Sequence, residues 1–399
     1  MDKRPYSLKD IVLYFLRLGY MGFGGPVALV GYMHRDLVEK KKWVTEDEYK
    51  EGMALAQLSP GPLAAQLAIY LGFVDYGILG ATLVGIAFVL PSFFMVLALG
   101  IAYKIYGGLA WMQAIFYGVG ACVIGIICLS AYKLTIKSIS KLNLKAIRNN
   151  WLLWFFYLFS AVFTVIAHSE PVSLFLAAGI LYMLIKAPPT FLKRNVTCWA
   201  LILAVLPVTW IDNEEQILQI AWFFTKAGAF VFGSGLAIVP FLHNGVVNEF
   251  QWLSEKEFLD AVAVAMITPG PVVITVAFIG YLTAGMAGAA VAALATFLPC
   301  YLLTVIPAPY FKKIAKNTSI KAFVDGITAA VIGALAGAVI VMAVKTFTKG
   351  QETDLDYPPM IIALLTILAL MKIKNMTEPI LILISAVVGL AIKLVLFTG

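Results

Sequence analysis

The sequence predicts an all-α polytopic membrane protein, built from two inverted-topology repeats of a helical bundle that are joined by one extra linking helix. Three observations predict this class: an apolar composition, an internal duplication, and opposite charge bias in equivalent loops. Glycine and proline interrupt several of the apolar runs. The bundle is therefore also predicted to contain broken or re-entrant helices.

The composition excludes a soluble fold. Of 399 residues, 61% are hydrophobic and only 13% are charged, and the mean hydropathy is +0.92. A soluble domain has about one quarter charged residues. Apolar runs such as 78–103 and 111–131 have the length that a helix needs to cross hydrocarbon, and they lack the alternation of barrel strands. The net charge of +7 fits basic cytoplasmic loops.

An internal duplication runs nearly the whole length of the chain. Residues of the first unit recur 209 residues later, and the offset becomes 208 after a one-residue deletion. The matching pairs include Gly24 and Gly233, Trp43 and Trp252, Pro60 and Pro269, Gly72 and Gly280, and Pro91 and Pro299. We therefore assign a first repeat to residues 1–190, a linker with a connecting transmembrane segment to 191–216, and a second repeat to 217–399.

The charges of equivalent loops predict that the second repeat is inverted. Loop 132–150 has five basic residues and no acidic one, whereas its counterpart 346–358 is poor in lysine. The segment near Lys104 shows the reverse, because its counterpart is rich in lysine. Cytoplasmic loops carry the excess of positive charge, so opposite bias indicates opposite orientation. We expect a multi-pass protein of the plasma (inner) membrane with a cytoplasmic N-terminus.

Four glycine- and proline-rich breaks interrupt the apolar runs. They lie at Gly22–Pro26, Ser59–Pro62, Phe232–Gly235 and Thr268–Pro271. The fragments beside them are too short to cross a bilayer, and the distribution of basic residues favours re-entrant hairpins or deeply broken helices over full spans. Such breaks at equivalent positions of two inverted halves are the best sequence pointer to a transport site. Tight packing of helices through glycine is the alternative.

A helix that starts at a break presents unpaired N–H groups and a positive dipole end to an anion. The equivalent cations Arg17 and Lys226 lie in apolar segments, where a charge normally faces a cavity or a partner. They either converge on one dianion or extend to a membrane interface or a local acid such as Asp10. The candidate substrate-binding residues are Arg17, Gly22, Phe23, Gly24, Gly25, Pro26, Ser59, Pro60, Gly61, Lys226, Gly233, Ser234, Gly235, Thr268, Pro269 and Gly270.

Proton coupling would require an acid inside the cavity. The candidates are the equivalent pair Glu51 and Asp260, Asp75, and the pair Glu170 and Glu378. Asp75 and the acids of the Glu-Pro pairs, Glu170 and Glu378, are expected in short turns at the surface. The sequence contains no His-Glu-x-x-His motif and no cysteine spacing that would bind a metal, so it predicts no catalytic residue, metal or cofactor.

Two charged loops share a pattern that predicts local structure. At the start of the helix after each loop, Thr45 with Glu48 and Ser254 with Glu257 predict a capping box. The histidine that begins each loop is expected to have no direct role in transport.

The tandem arrangement, the Gly-Phe-Gly-Gly-Pro and Phe-Gly-Ser-Gly breaks, the Trp-(Val/Leu)-(Thr/Ser)-Glu segments and the paired (Ser/Thr)-Pro-Gly-Pro elements resemble the chromate transporter family in its long, two-domain form. The resemblance covers nearly the whole chain. It implies efflux of chromate, with sulfate as a chemical lookalike, driven by the proton gradient. The second half has Ser234-Gly235 where the first has Gly25-Pro26, so the two half-sites need not contribute equally.

The sequence thus predicts a secondary transporter of chromate or a similar tetrahedral oxyanion such as sulfate, and not an enzyme. A passive anion channel is the alternative, since it would use the same breaks without a coupling acid. The expected partners are the inorganic oxyanion and the lipid bilayer, without nucleic acid. A homodimer is compatible with the sequence.

Overall fold

A computed structural model describes residues 5–140, 144–167, 172–189, 216–229, 235–311, 317–348, 355–373 and 376–397. The predicted all-α class is confirmed, because the described residues form helices, with one isolated bridge between Thr348 and Leu355. Nearly all of the predicted linker, 191–216, lies outside the described residues. The linking helix and the boundaries between the repeats therefore stay predictions.

The helices follow the same order in both repeats. In the first repeat they are α1 (Leu8–Met21), α2 (Gly25–Met33), α3 (Glu46–Leu58), α4 (Leu63–Tyr106), α5 (Ala110–Ser138), α6 (Leu144–Asn149), α7 (Trp151–Ala167) and α8 (Val172–Lys186). In the second they are α9 (Gln216–Ala229), α10 (Val239–His243), α11 (Glu255–Ile267), α12 (Thr275–Val305), α13 (Thr318–Phe347), α14 (Tyr357–Lys372) and α15 (Glu378–Phe397). A π-helical turn follows α2 (His34–Lys40) and α10 (Asn244–Glu249).

Several helices are long and apolar enough to cross a membrane. Within the described residues four meet that condition: Leu63–Tyr106, Ala110–Ser138, Val272–Tyr310 and Thr318–Phe347. Shorter apolar helices lie at Trp151–Ala167, Val172–Lys186 and Tyr357–Lys372. These helices agree with the polytopic membrane protein that the composition predicts.

The first apolar run forms a helical hairpin. The chain turns at Gly24, whose φ of 104° is in the left-handed region that glycine tolerates. The chain then turns back towards α1, since the Tyr14 hydroxyl on α1 donates to the Tyr32 carbonyl near the end of α2 at 3.3 Å. The break therefore forms the tip of a hairpin and does not kink a continuous span.

The second apolar run is also a hairpin, formed by α3 and the first arm of α4. A Cβ at Gly52 on α3 would touch the Tyr70 ring on α4, and this contact requires the two helices to fold against each other. The chain then reverses again at Gly77, where φ is 57° and ψ is −146°. Beyond this point the second arm of α4 returns along the first, with Gly72 packed against Gly80. Of the two possibilities for these runs, the structure shows hairpins.

Equivalent helices of the two repeats pack antiparallel at the centre of the molecule. Thr82, near the start of the second arm of α4, hydrogen bonds Tyr301 near the end of α12 at 2.7 Å. At the other end of α4, Gly100 packs against Tyr281, which precedes the second arm of α12. The start of one arm therefore meets the end of the other. An apolar groove of about 530 Å³ between them is lined by equivalent residues of both helices. The inverted orientation in a bilayer stays a prediction that this packing supports.

The two repeats also exchange helices. Helix α5 of the first repeat packs on α14 and α15 of the second, with Gly118 against the Ser385 backbone. In the reciprocal arrangement, α13 packs on α7 and α8, with Gly326 against the Ala178 backbone. Glycine permits these close backbone approaches because a Cβ at either position would overlap the facing chain. Each repeat therefore completes its core with helices of the other.

Candidate transport site

The tips of two hairpins from opposite repeats meet inside the protein. The Gly270 N–H donates to the Gly22 carbonyl at 2.9 Å. The Ser92 hydroxyl, on α4, donates to the Pro269 carbonyl at 2.8 Å. The same hydroxyl oxygen lies 3.3 Å from the Gly19 carbonyl oxygen. Only glycine fits at position 270, because its φ is 101° and a Cβ there would overlap the Ser92 hydroxyl. Two of the four predicted breaks are therefore joined across the repeats.

The break at Ser59–Pro62 makes the equivalent contact with α12. Gly61 is equivalent to Gly270, and Cys300 is equivalent to Ser92. A Cβ at Gly61 would lie 3.0 Å from the Cys300 sulfur, so the same pair of positions meets in both halves. The fully buried Gln66 supports this tip by donating from Nε2 to the Pro60 carbonyl at 2.8 Å. Its Oε1 has no hydrogen-bond partner in the described structure.

The fourth break is described only in part. Gly233 and Ser234 lie outside the described residues, so their predicted roles stay predictions. Gly235 is described and packs against Val272 and Val273, directly after the Thr268–Pro271 break. The described end of this break therefore lies beside the two tips that meet at Gly22 and Gly270.

Helices begin directly after the breaks, as an anion site at helix N-termini requires. Helix α2 starts at Gly25 with Pro26 in its first turn, and the first arm of α4 starts at Leu63. The first N–H groups of each helix have no partner within the helix. Phe23 is exposed at the tip, and Ser59 is half-buried. The Thr268 hydroxyl already donates to the Val264 carbonyl at 2.6 Å.

The two predicted cations have different surroundings. Arg17 is exposed on the face of α1 that also exposes Leu16 and Tyr20, and within the described part of the chain its guanidinium makes no ion pair or hydrogen bond. Lys226 is half-buried, with its Nζ 5.6 Å from the centre of the Trp222 ring. For Arg17 this placement agrees with a side chain that extends to a membrane interface. Convergence of both cations on one dianion stays a prediction.

Comparisons with known proteins agree with the repeated architecture. The family model described as "Chromate transporter" matches residues 9–183 and 218–390, which is one match in each repeat. The chain belongs to the chromate transporter family. It is 60% identical to a chromate transport protein of Cupriavidus metallidurans over 96% of this chain and 93% of that protein. A probable chromate transport protein of Synechococcus elongatus is 56% identical over 96% and 95%. No solved structure matches this chain.

In this member of the chromate transporter family, each of the two equivalent acids lies near a tyrosine. Asp260 on α11 is only 1% exposed and accepts a hydrogen bond from the Tyr103 hydroxyl at 2.7 Å. Glu51 on α3 is half-buried and lies near the Tyr70 hydroxyl. Asp75 is half-buried and lies two residues before the reversal at Gly77. Asp260 is therefore the most deeply buried of these three acids.

Glu378 lies beside the first hairpin tip, contrary to the sequence-based expectation. Its Oε2 lies 3.7 Å from the point that a Cβ would occupy at Gly25. The expectation of a surface turn is therefore wrong for Glu378, because the helix exchange brings the start of α15 to the other repeat. The equivalent acid, Glu170, lies outside the described residues.

The predicted capping boxes are confirmed, and the loop histidines have structural contacts. In the first repeat the Thr45 N–H donates to Glu48 at 2.9 Å, and in the second the Ser254 N–H donates to Glu257 at 2.8 Å. His34 and His243 contact the first glutamate of the following helix in the same way. The distances are 2.9 Å from His34 to Glu46 and 2.7 Å from His243 to Glu255. Both histidines therefore tie a loop to the base of a hairpin.

Sequence reasoning missed Ser92 and Tyr103, and it named Glu378 as a candidate acid but expected it in a surface turn. A signal for Ser92 was present, since it follows Pro91 as Cys300 follows Pro299, and these prolines align in the two repeats. The other two lie on helices that meet the site only through packing between repeats. No pattern along the chain indicates those contacts.

Proposed function

We propose that this chain carries chromate or a similar tetrahedral oxyanion, such as sulfate, out of the cell by proton-coupled secondary transport. The contact that carries the proposal is the hydrogen bond from Gly270 to Gly22 at 2.9 Å, where hairpin tips of opposite repeats meet. Irregular backbone of this kind is tolerated at membrane depth only where protein or a water-filled cavity surrounds it. Membership in the chromate transporter family supports the choice of substrate.

The hairpin tips supply the chemistry that a dianion needs. When a tetrahedral oxyanion leaves water, its hydration must be replaced by several N–H or O–H donors. The N-termini of α2 and α4 provide N–H groups of this kind and a favourable dipole end. We assign the binding role to the tip residues Gly22, Gly24, Gly25, Gly61 and Gly270, with charge from Lys226.

Transport follows from the relation between the two repeats. Antiparallel equivalent helices and reciprocal tip contacts allow two arrangements of similar energy, each opening the site to one side. We propose that the second repeat is inverted in the plasma membrane and that the N-terminus is cytoplasmic. The basic loop 132–150 would then face the cytoplasm.

Uptake of labelled chromate into inside-out vesicles tests the proposal. We expect concentrative uptake when the vesicle interior is acidic, with competition by sulfate and weaker competition by the less similar phosphate. A control protein with Gly270→Ala should insert in the membrane but transport poorly, because the tip contact with Ser92 is lost.

Two outcomes would contradict the proposal. Equilibration of chromate that never exceeds the outside concentration, with any imposed pH gradient, would indicate a passive anion channel. Absence of any chromate or sulfate flux in vesicles that contain the folded protein would exclude oxyanion transport altogether.

A further inference from the structure

Two carboxylates occupy equivalent positions, and each lies near a phenol, but the phenols are not equivalent. Asp260 receives a hydrogen bond from Tyr103, and Glu51 lies near Tyr70. At an offset of 208, Tyr103 corresponds to Phe311, and Tyr70 corresponds to Phe278. The positions of tyrosine and phenylalanine are thus exchanged between the repeats.

The exchange preserves one phenol for each acid. In the second half, the Tyr103 and Phe278 rings pack edge to face with centres 5.4 Å apart, beside Asp260. In the first half, Tyr70 and Phe311 belong to the same buried cluster. If the aromatic residues served packing alone, phenylalanine at all four positions would suffice. The hydroxyl therefore has a role towards the carboxylate.

Asp260 lies at a cavity that water can fill. The cavity has a volume of about 360 Å³ and is lined by parts of α5, α11, α13, α14 and α15. Such a volume, with polar groups in its walls, has room for several water molecules. The titratable groups that line the cavity or act on Asp260 are Tyr103, Tyr117, Glu255, Lys256, Glu257, Lys345 and Lys393. Within the described chain, no cation lies within 4 Å of the Asp260 carboxylate.

The position of Asp260 connects this cavity to the hairpin tip. Asp260 precedes Thr268 by eight residues on α11, which corresponds to about 12 Å along a helix. Its hydrogen-bond donor, Tyr103, belongs to the first repeat, so the bond spans the interface between the repeats. A change in the charge of Asp260 thus acts on the contact between repeats and on the helix that leads into the break with Gly270.

We propose that Asp260 takes up and releases the coupled proton, and that Tyr103 is a positioning residue that holds its carboxylate at the cavity. This inference rests on the proposed oxyanion transport and identifies its coupling site. In the step itself, hydronium in the cavity gives a proton to the carboxylate, which leaves water and a neutral carboxyl group. The neutral form no longer requires the hydrogen bond from Tyr103, and the two repeats can separate there.

Proteoliposomes with an internal pH indicator test this inference. Wild-type protein should move protons when a chromate gradient is imposed. Asp260→Asn should abolish this proton movement while chromate still stabilises the purified protein against heating. Tyr103→Phe should retain coupling but move the midpoint of the pH dependence upward by about one unit, because the charged carboxylate loses a donor. Asp47→Asn, an exposed carboxylate on α3, is the matched control and should behave as wild type.

The outcomes separate this inference from the proposed function. Proton movement at the wild-type ratio in Asp260→Asn, or an unchanged midpoint in Tyr103→Phe, would overturn the inference and leave oxyanion transport intact. Chromate flux without proton movement in the wild type would overturn both this inference and the proton coupling of the proposed function, and would leave only oxyanion transport. If Asp260→Asn does not fold, Asp260→Glu replaces it and should keep coupling with an altered midpoint; an unaltered midpoint would count against the role of Asp260.

Discussion

Ser92 shows how a single hydroxyl connects the two halves of the site. It donates to Pro269 in the second repeat and lies beside Gly19 in the first. The second half has Cys300 at the equivalent position, against Gly61. The protein therefore has a stronger hydrogen-bond donor at one tip and a weaker one at the other.

Replacing Ser92 tests the value of this hydroxyl. In Ser92→Ala the buried Pro269 carbonyl loses its donor, so we expect a loss of about 1–2 kcal/mol in stability and a lower transport rate. Ser92→Cys is the matched control, because the equivalent residue is already cysteine, and it should lie between the wild type and the alanine variant. Thermal unfolding in detergent measures the change in stability, and transport in vesicles measures the change in rate. Equal rates for the alanine and cysteine variants would show that the donor has no role.

Glu378 places a negative charge next to the tip at which we propose anion binding. In Glu378→Gln the shape is retained and the repulsion disappears, so the KM for chromate should fall by roughly five-fold, which corresponds to about 1 kcal/mol. Initial transport rates over a range of chromate concentrations measure it. Glu249→Gln, at an exposed glutamate away from the tips, is the control. An unchanged KM in Glu378→Gln would mean that the anion binds elsewhere.

At the scale of elements, hairpins with fixed bases present their tips to one another. The loop after α2 is tied to α3 by the contact of His34 with Glu46, and the capping box of Thr45 and Glu48 fixes the start of the same helix. The hydrogen bond from His34 holds the pKa of Glu46 below the usual value for glutamate, with a smaller contribution from Lys50. This carboxylate lies outside the membrane-spanning helices.

The lowered pKa of Glu46 gives a defined pH dependence. A carboxylate with a lowered pKa in the folded state stabilises the protein above its unfolded pKa, and this contribution disappears as the pH falls through the folded pKa. The difference in melting temperature between the wild type and Glu46→Gln should therefore be present at neutral pH and vanish in the acidic range near and below pH 4. Thermal unfolding from pH 3 to pH 7 measures it. A difference that stays constant across this range would contradict the role of the His34 contact.

At the scale of the whole molecule, the exchange of helices makes the two repeats interdependent. Helix α5 completes its packing on α14 and α15, and α13 completes its packing on α7 and α8. Neither repeat alone would cover the glycine-lined faces of its central helix. The repeats therefore form one structural unit, although the sequence divides them clearly.

Splitting the chain within residues 191–216 tests this interdependence. We expect either half, expressed alone, to accumulate to less than about one tenth of the full-length level, because its exposed interface has no partner. Co-expression should restore both halves, and a tag on one half should retain the other during purification. Transport in the co-expressed pair should approach that of the intact chain. Stable accumulation of a single half as a folded monomer would contradict the helix exchange.

The sequence by itself determined the class, the duplication and the four breaks. These follow from local physics: hydrophobic length for a span, glycine and proline for an interruption, and Thr45 with Glu48 for a helix start. Repeats at a fixed offset also located the acids Glu51 and Asp260 as a pair. All of these features depend on residues that are close in sequence or related by one offset.

Only the tertiary structure decided which of these features meet. The bond from Gly270 to Gly22, the Tyr103 hydroxyl on Asp260 and the approach of Glu378 to Gly25 each join residues of opposite repeats. Such contacts depend on how α4 packs on α12 and how α5 and α13 are exchanged. Those arrangements are set by shape complementarity between glycine-lined helix faces, which has no periodic signal along the chain.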